Sequence, residues 1–240
     1  CGTCHACTIG KPNCCERIAV LGVHTDGGMC EEIVVPEGNL YPAHGLTPQA
    51  AAMVEFLAIG AHGVRRGQVR RGSRALIVGA GPIGIGAALF AAIAGAEVTL
   101  RDTSDARLDL ARKVLPDARI QPVSAATDER FDTVFDATGN IGAMNAGLSH
   151  VAHGGAYVLL SVVKGDLVFP DPEFHKRECT LIASRNALHE DFRHVMEMMR
   201  AGRVPTQALA THETSFDAAV EYLPRWASER GGLIKAIIRV

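Results

Sequence analysis

Aromatic residues are scarce in this chain of 240 residues: Phe, Trp and Tyr together make up 5%. Few rings leave few platforms on which nucleic-acid bases could stack. Net charge is nearly absent too, at −2 from 24 basic and 26 acidic side chains, so no basic field exists to hold a polyanion. A clean membrane-spanning run is also missing. The uncharged stretch from Ala75 to Ala96 is broken by five glycines and Pro82, which argues for a soluble turn rather than a span. Nothing like a signal peptide opens the chain, residue 1 is Cys, and the sequence reads as though it begins partway through something larger. What is present is 48% apolar and 21% charged, a globular balance that excludes wholesale disorder. The length fits one large domain or two small ones.

Cysteine is unevenly spread. Five of the seven fall within the first fifteen residues, at 1, 4, 7, 14 and 15. An odd total suits a disulfide framework poorly. Cys1, Cys4 and Cys7 followed by Cys15, with Gly2 and Gly10 available for tight turns, make a candidate closed tetrahedral site for a structural zinc ion. Cys14 competes with Cys15 for the fourth position, and His5 is a further rival on spacing alone.

The second concentrated signal is glycine. The apolar strand Arg74–Val78 runs into Gly79-Ala80-Gly81-Pro82-Ile83-Gly84, then into a small-residue helix reaching about Ala94. This is the G-x-G-x-x-G fingerprint between a strand and a helix, the context that makes it a dinucleotide site. The first glycine permits the turn, the second admits a pyrophosphate, and the third lets the helix lie close on the strand. A second strand, Glu97–Arg101, leads to Asp102, which can accept the ribose hydroxyls of NAD and would repel the 2′-phosphate of NADP. Arg101 and Arg107 keep NADP open.

The alternation of strand and helix continues. Strands are expected at Phe131–Phe135, Gly155–Leu160 and Thr180–Ala183, with a polar turn Asp136–Gly139 after the first. Ser104 caps a helix running to Val114, and a helix from about Asp191 to Ala201 carries Met196, Met198 and Met199 as packing residues. The fold class is therefore α/β, a doubly wound parallel sheet.

These pieces, in this order, make the whole chain resemble the zinc-dependent medium-chain alcohol dehydrogenases, in their sorbitol, threonine and sugar-acid branch. The resemblance also rests on Gly22–Gly28, the expected strand Glu32–Pro36, Met53-Val54-Glu55, Ala61–Arg66 and the segment from Glu178 to Ser184-Arg185. It implies an incomplete GroES-like substrate lobe in residues 1–55, a Rossmann domain in 56–185 and a return to the first lobe in 186–240. It favours Cys15 over Cys14 as the fourth structural ligand. By the same matching, Glu55 corresponds to a glutamate near the catalytic zinc, whose other ligands lie upstream of the cysteine lobe in the family. Gly81 to Gly84 hold the pyrophosphate, Asp102 and Arg107 flank the adenine ribose, and Ser161, Val162, Val163, Ser184 and Arg185 approach the nicotinamide. Arg185 is also a candidate to steer a polar substrate. The implied activity is hydride transfer between an alcohol or polyol and NAD by a cytoplasmic homodimer or homotetramer.

Departures exist: Phe56 replaces the family's proline, and Glu31-Glu32 stand where a tyrosine is usual. His24 and His44 are the nearest candidates for missing ligands, and each reads as a loop histidine. The residue pattern expects Glu55, set inside the apolar run 50–59, to be buried with a metal or an arginine as partner. The alternatives are a truncated NAD- and zinc-binding protein without catalysis, or a zinc-independent reductase of the same fold.

Overall fold

A computed structural model of the chain describes residues 1–125, 128–229 and 232–240. Helices run in chain order as α1 (His5–Thr8), α2 (Pro48–Ala51), α3 (Val54–Arg66), α4 (Pro82–Ile93), α5 (Asp105–Val114), α6 (Ile141–Gly147), α7 (Asp171–Lys176), α8 (His189–Arg200), α9 (Thr206–Leu209) and α10 (Ala219–Ser228). Strands are β1 (Arg74–Val78), β2 (Glu97–Asp102), β3 (Arg119–Pro122), β4 (Phe131–Asp136), β5 (Val151–Leu159), β6 (Thr180–Ala183), β7 (Ala210–Ser215) and β8 (Lys235–Arg239).

Six strands form one all-parallel sheet in the order β3-β2-β1-β4-β5-β6. Parallel strands buried on both faces need continuous apolar sequence, and Ala75, Leu76 and Ile77 of β1 are fully buried. Alternation divides them: Ala75 and Ile77 join the larger core with α3, α4 and α8, while Leu76 joins Phe131, Val134 and Tyr157 on the opposite face. Chain order reverses between β1 and β4, so the C-terminal ends of those strands open a crevice, the place where open α/β sheets bind ligands. This is a Rossmann-like sheet.

Capping follows the local sequence. Ser104 accepts the Arg107 N–H at the start of α5, Asn140 accepts the Ala143 N–H at the start of α6, and Gly81-Pro82 opens α4.

Two expectations need correction, and the strand at the C-terminus takes a partner of its own. The segment 32–36 is not a strand; it runs unpaired with Val34 97% exposed, because a strand exists only beside a partner and none lies there among the described residues. The last strand starts at Lys235 and pairs in parallel with β7 in a separate two-stranded sheet. Glu55 is exposed in the first turn of α3, whose buried stripe runs through Val54, Phe56, Leu57, Ala58 and Ala61. Helical periodicity turns this carboxylate to water, so burial does not demand a partner for it. No helix among the described residues is long and apolar enough to cross a membrane.

Candidate functional site

The turn after β1 is shaped by two glycines that cannot be replaced. Gly79 has φ +104, and a Cβ on Gly84 would lie 1.8 Å from the Gly79 carbonyl oxygen. The first needs a backbone conformation that L side chains avoid; the second brings α4 hard against the turn. A Cβ on Gly81 would meet nothing within 4 Å, so the side of the loop that a pyrophosphate would take is open. Pro82 fixes the first turn of α4, whose N-terminus has no side-chain cap.

Asp102 ends β2 and is 5% exposed. Its carboxylate accepts the Ala80 N–H at 2.7 Å and the Ser104 N–H at 2.8 Å, with the Arg107 guanidinium 3.7 Å away. The acidic residue thus ties the glycine loop to the next strand while standing at the mouth of a cavity of ≈ 360 Å³. Gly79, Asp102, Thr103, Arg107, Thr138 and Asn140 are among its walls. Arg101 is no rival for a phosphate there. It points to the other face of the sheet, 4% exposed, and donates to Gln121. A larger hollow of ≈ 690 Å³ lies at the opposite, N-terminal edge of the strands, between Arg74, Glu97, Arg119 and Phe131.

The other strand ends are tied stepwise. Asp136 is buried at the end of β4 and accepts the Thr138 N–H and hydroxyl; burial raises its carboxyl despite those bonds. Ser161 Oγ accepts the Gly139 N–H at 3.1 Å, and the Ser184 N–H reaches the Leu159 carbonyl at 2.9 Å. Val162 is 96% exposed, Val163 half-buried, Ser184 buried and Arg185 exposed. All of them stand on the same C-terminal edge of the sheet as the glycine loop.

The cysteine cluster is a separate centre. One ligand atom each from Cys1, Cys4, Cys7 and Cys15 lie within 4.8 Å of one another, against an S···S spacing of about 3.8 Å in a tetrahedral zinc–thiolate site with Zn–S near 2.3 Å. Cys14 and His5 are exposed and outside it. N–H groups of Cys7 and Glu16 aimed at the Cys4 sulfur hold that thiol down at about 7, while the crowd of neighbouring thiols raises Cys7 over the opposing pull of the Gly2 N–H. Four soft donors, one already easily ionised, fit a zinc ion. Glu55, by contrast, belongs to no group of three or more metal-ligating side chains among the described residues.

One group was invisible to sequence reading. His62 and Asp191, each 2% exposed, join at 2.7 Å, and Arg65 adds bonds of 2.8 and 3.0 Å to the same carboxylate. Burial pushes the Asp191 carboxyl up, but the bonds from His62, Arg65 and the Leu188 N–H outweigh it and leave it at about 2. The pair is 129 residues apart in sequence, and only an oddly polar His62 within a buried helix stripe hinted at it.

Comparison with known proteins agrees with this geometry. Residues 82–201 match the zinc-binding dehydrogenase family. The chain is 44% identical over 247 residues to L-galactonate-5-dehydrogenase of Escherichia coli K12, covering 99% of this chain and 73% of that one. It is 27% identical to D-xylulose reductase A of Aspergillus niger over 91% of this chain and 66% of the relative. Among solved structures, an alcohol dehydrogenase of Escherichia coli CFT073 complexed with NADH superposes with TM-score 0.90 at 25% identity, covering 98% of this chain and 73% of that one. A candidate zinc-binding dehydrogenase of Sinorhizobium meliloti 1021 bound to NADP gives 0.88 at 25% identity, over 100% of this chain and 74% of the other. The chain belongs to the zinc-type medium-chain alcohol and sugar-acid dehydrogenase family.

Proposed function

We propose that this dehydrogenase transfers a hydride between the carbinol carbon of a polyol or sugar acid and NAD. The observation that carries the reading is the glycine loop, closed on itself at Gly84 and bonded at Ala80 to Asp102. In the oxidative direction the carbinol C–H bond breaks and its electron pair travels with the hydrogen to the nicotinamide ring. The hydroxyl proton passes to solvent water, so the substrate would lose two electrons and bound NAD⁺ would become NADH. Gly79, Gly81, Pro82, Ile83 and Gly84 hold the pyrophosphate. Asp102 and Arg107 take the adenine ribose, where the carboxylate disfavours a 2′-phosphate. Ser161, Val162, Val163, Ser184 and Arg185 border the nicotinamide, and Arg185, exposed at the strand ends, is the residue to meet an acidic substrate.

Cys1, Cys4, Cys7 and Cys15 hold a structural zinc. Four protein donors leave no coordination position for substrate, so its part is to close the lobe. Residues 1–55 and 186–240 form the substrate side and 56–185 the dinucleotide side of a cytoplasmic enzyme. The free edge of β6, with Leu181 exposed, suits pairing with a second copy. The similarity to L-galactonate-5-dehydrogenase supports a sugar acid as substrate, and that to D-xylulose reductase a polyol.

A second reading, an NAD- and zinc-binding protein without catalysis, is favoured by the exposure of Glu55, which leaves that carboxylate in water. Incubating the zinc-loaded chain with NAD⁺ and a panel of polyols, aldonic acids and threonine separates the two. NADH formed with one class supports the first reading; NADH binding with no turnover on any of them supports the second.

A further inference from the structure

The cysteine lobe and the turn after β6 meet at one side chain. Asn13 stands between Cys7 and Cys15 in sequence, so closure of the cysteine cluster fixes its position. Its Nδ2 donates to the Arg185 carbonyl at 2.9 Å and lies 3.4 Å from His62 Nε2. The Asn186 side chain answers with a bond of 3.4 Å to the Asn13 carbonyl. Nε2 of His62 faces the Asn13 amide, and Nδ1 faces Asp191 with Arg65 Nη2 3.0 Å away. Asp191 and Arg65 therefore orient a buried imidazole whose outer nitrogen meets Asn13.

The turn being gripped is itself unusual. Asn186 has φ 51, a left-handed conformation. Asn13 Oδ1 and Ser184 Oγ are buried and make no hydrogen bond among the described residues, which a purely structural clasp would be expected to satisfy. Arg66 supplies a bond to the Ala183 carbonyl at 3.3 Å, so without Asn13 the turn keeps its strand end but loses its outer hold. It lies at the C-terminal end of a parallel strand, beyond β4 and β5 from the adenosine cavity, which is where the second half of a dinucleotide runs.

We propose that Asn13 is a positioning residue for the nicotinamide half of the dinucleotide site, and that through it closure of the cysteine lobe on a metal tightens that half alone. The inference rests on the dinucleotide reading above. By linkage, NADH must in turn tighten metal binding by the same factor.

The test is titration of the full zinc-loaded chain with NADH and, separately, with ADP, which reports only the adenosine and pyrophosphate half. Asn13→Asp keeps the shape and loses the donor; Asn186→Gly keeps the left-handed backbone and loses the second bond. Each variant, and chelation of the wild-type chain, is expected to weaken NADH about fivefold or more and to leave ADP within about twofold. Chelating Asn13→Asp should add no further loss. NADH affinities unchanged in both variants, or equal losses for NADH and ADP, would overturn the inference and leave the dinucleotide reading standing. Failure of the wild-type chain to bind either ligand would overturn both.

Discussion

Residues 1–49 and the six-stranded sheet are ordered by opposite means. In the first, Cys4 and Cys15 are the only buried side chains. Val23, Met29, Val34 and Leu40 stand between 53% and 97% exposed. In the sheet, the central strands β1 and β4 are buried on both faces over most of their length, with Leu76 and Val134 at 0%, as is Val158 of β5. A segment that buries so little apolar surface gains too little from water to hold a shape. We attribute the order of residues 1–20 to the thiol cluster, where coordination of a metal would contribute on the order of 10 kcal/mol. The two regions should therefore answer to different perturbations.

The sharpest break on the sheet side is Gly84→Ala. The new methyl would sit against the Gly79 carbonyl, a backbone collision worth about 3 kcal/mol, so NADH affinity should fall about a hundredfold. Metal content, measured on the same sample, should not change. Acid gives the next largest effect. The bonds from His62 and Arg65 hold the Asp191 carboxyl at about 2, below the ordinary carboxylate range. Its contribution is complete above pH ~4 and is lost as pH falls toward 2, a matter of about 2 kcal/mol. Urea midpoints for wild type should drop across that window. Asp191→Asn should be less stable at neutral pH and lose that part of the drop.

Asp102→Ser is expected to raise the NADPH-to-NADH affinity ratio about tenfold, read by parallel titrations. The smallest effect belongs to Cys14→Ser. Exposed and outside the cluster, it should leave metal stoichiometry intact and stability within about 0.5 kcal/mol.

Much of the sheet side was legible because its information is local. β1, the glycine loop, α4 and Asp102 occupy one continuous stretch, and each glycine answers a steric demand within a few residues. The helix starting after Ser104 was readable from its cap for the same reason. The cysteine set needed more, since spacing alone left Cys14 and Cys15 as rivals; folding separates them, one buried and one exposed. Non-local features were hidden. Neither the pairing of His62 with Asp191 nor the contact of Asn13 with Arg185, 172 residues away, has any sequence pattern. Glu55 misled for a physical reason: an apolar run on a helix still has an outer side. The segment 32–36 misled because β-branched residues propose a strand, and only a neighbour makes one.

Hydrogen exchange with and without a zinc chelator tests the contrast most directly. Removing the metal should strip protection from amides in residues 1–20 and leave those of β1, β2 and β4 unchanged. Equal loss across both regions, or an unaltered N-terminal segment, would contradict an order built on the four cysteines.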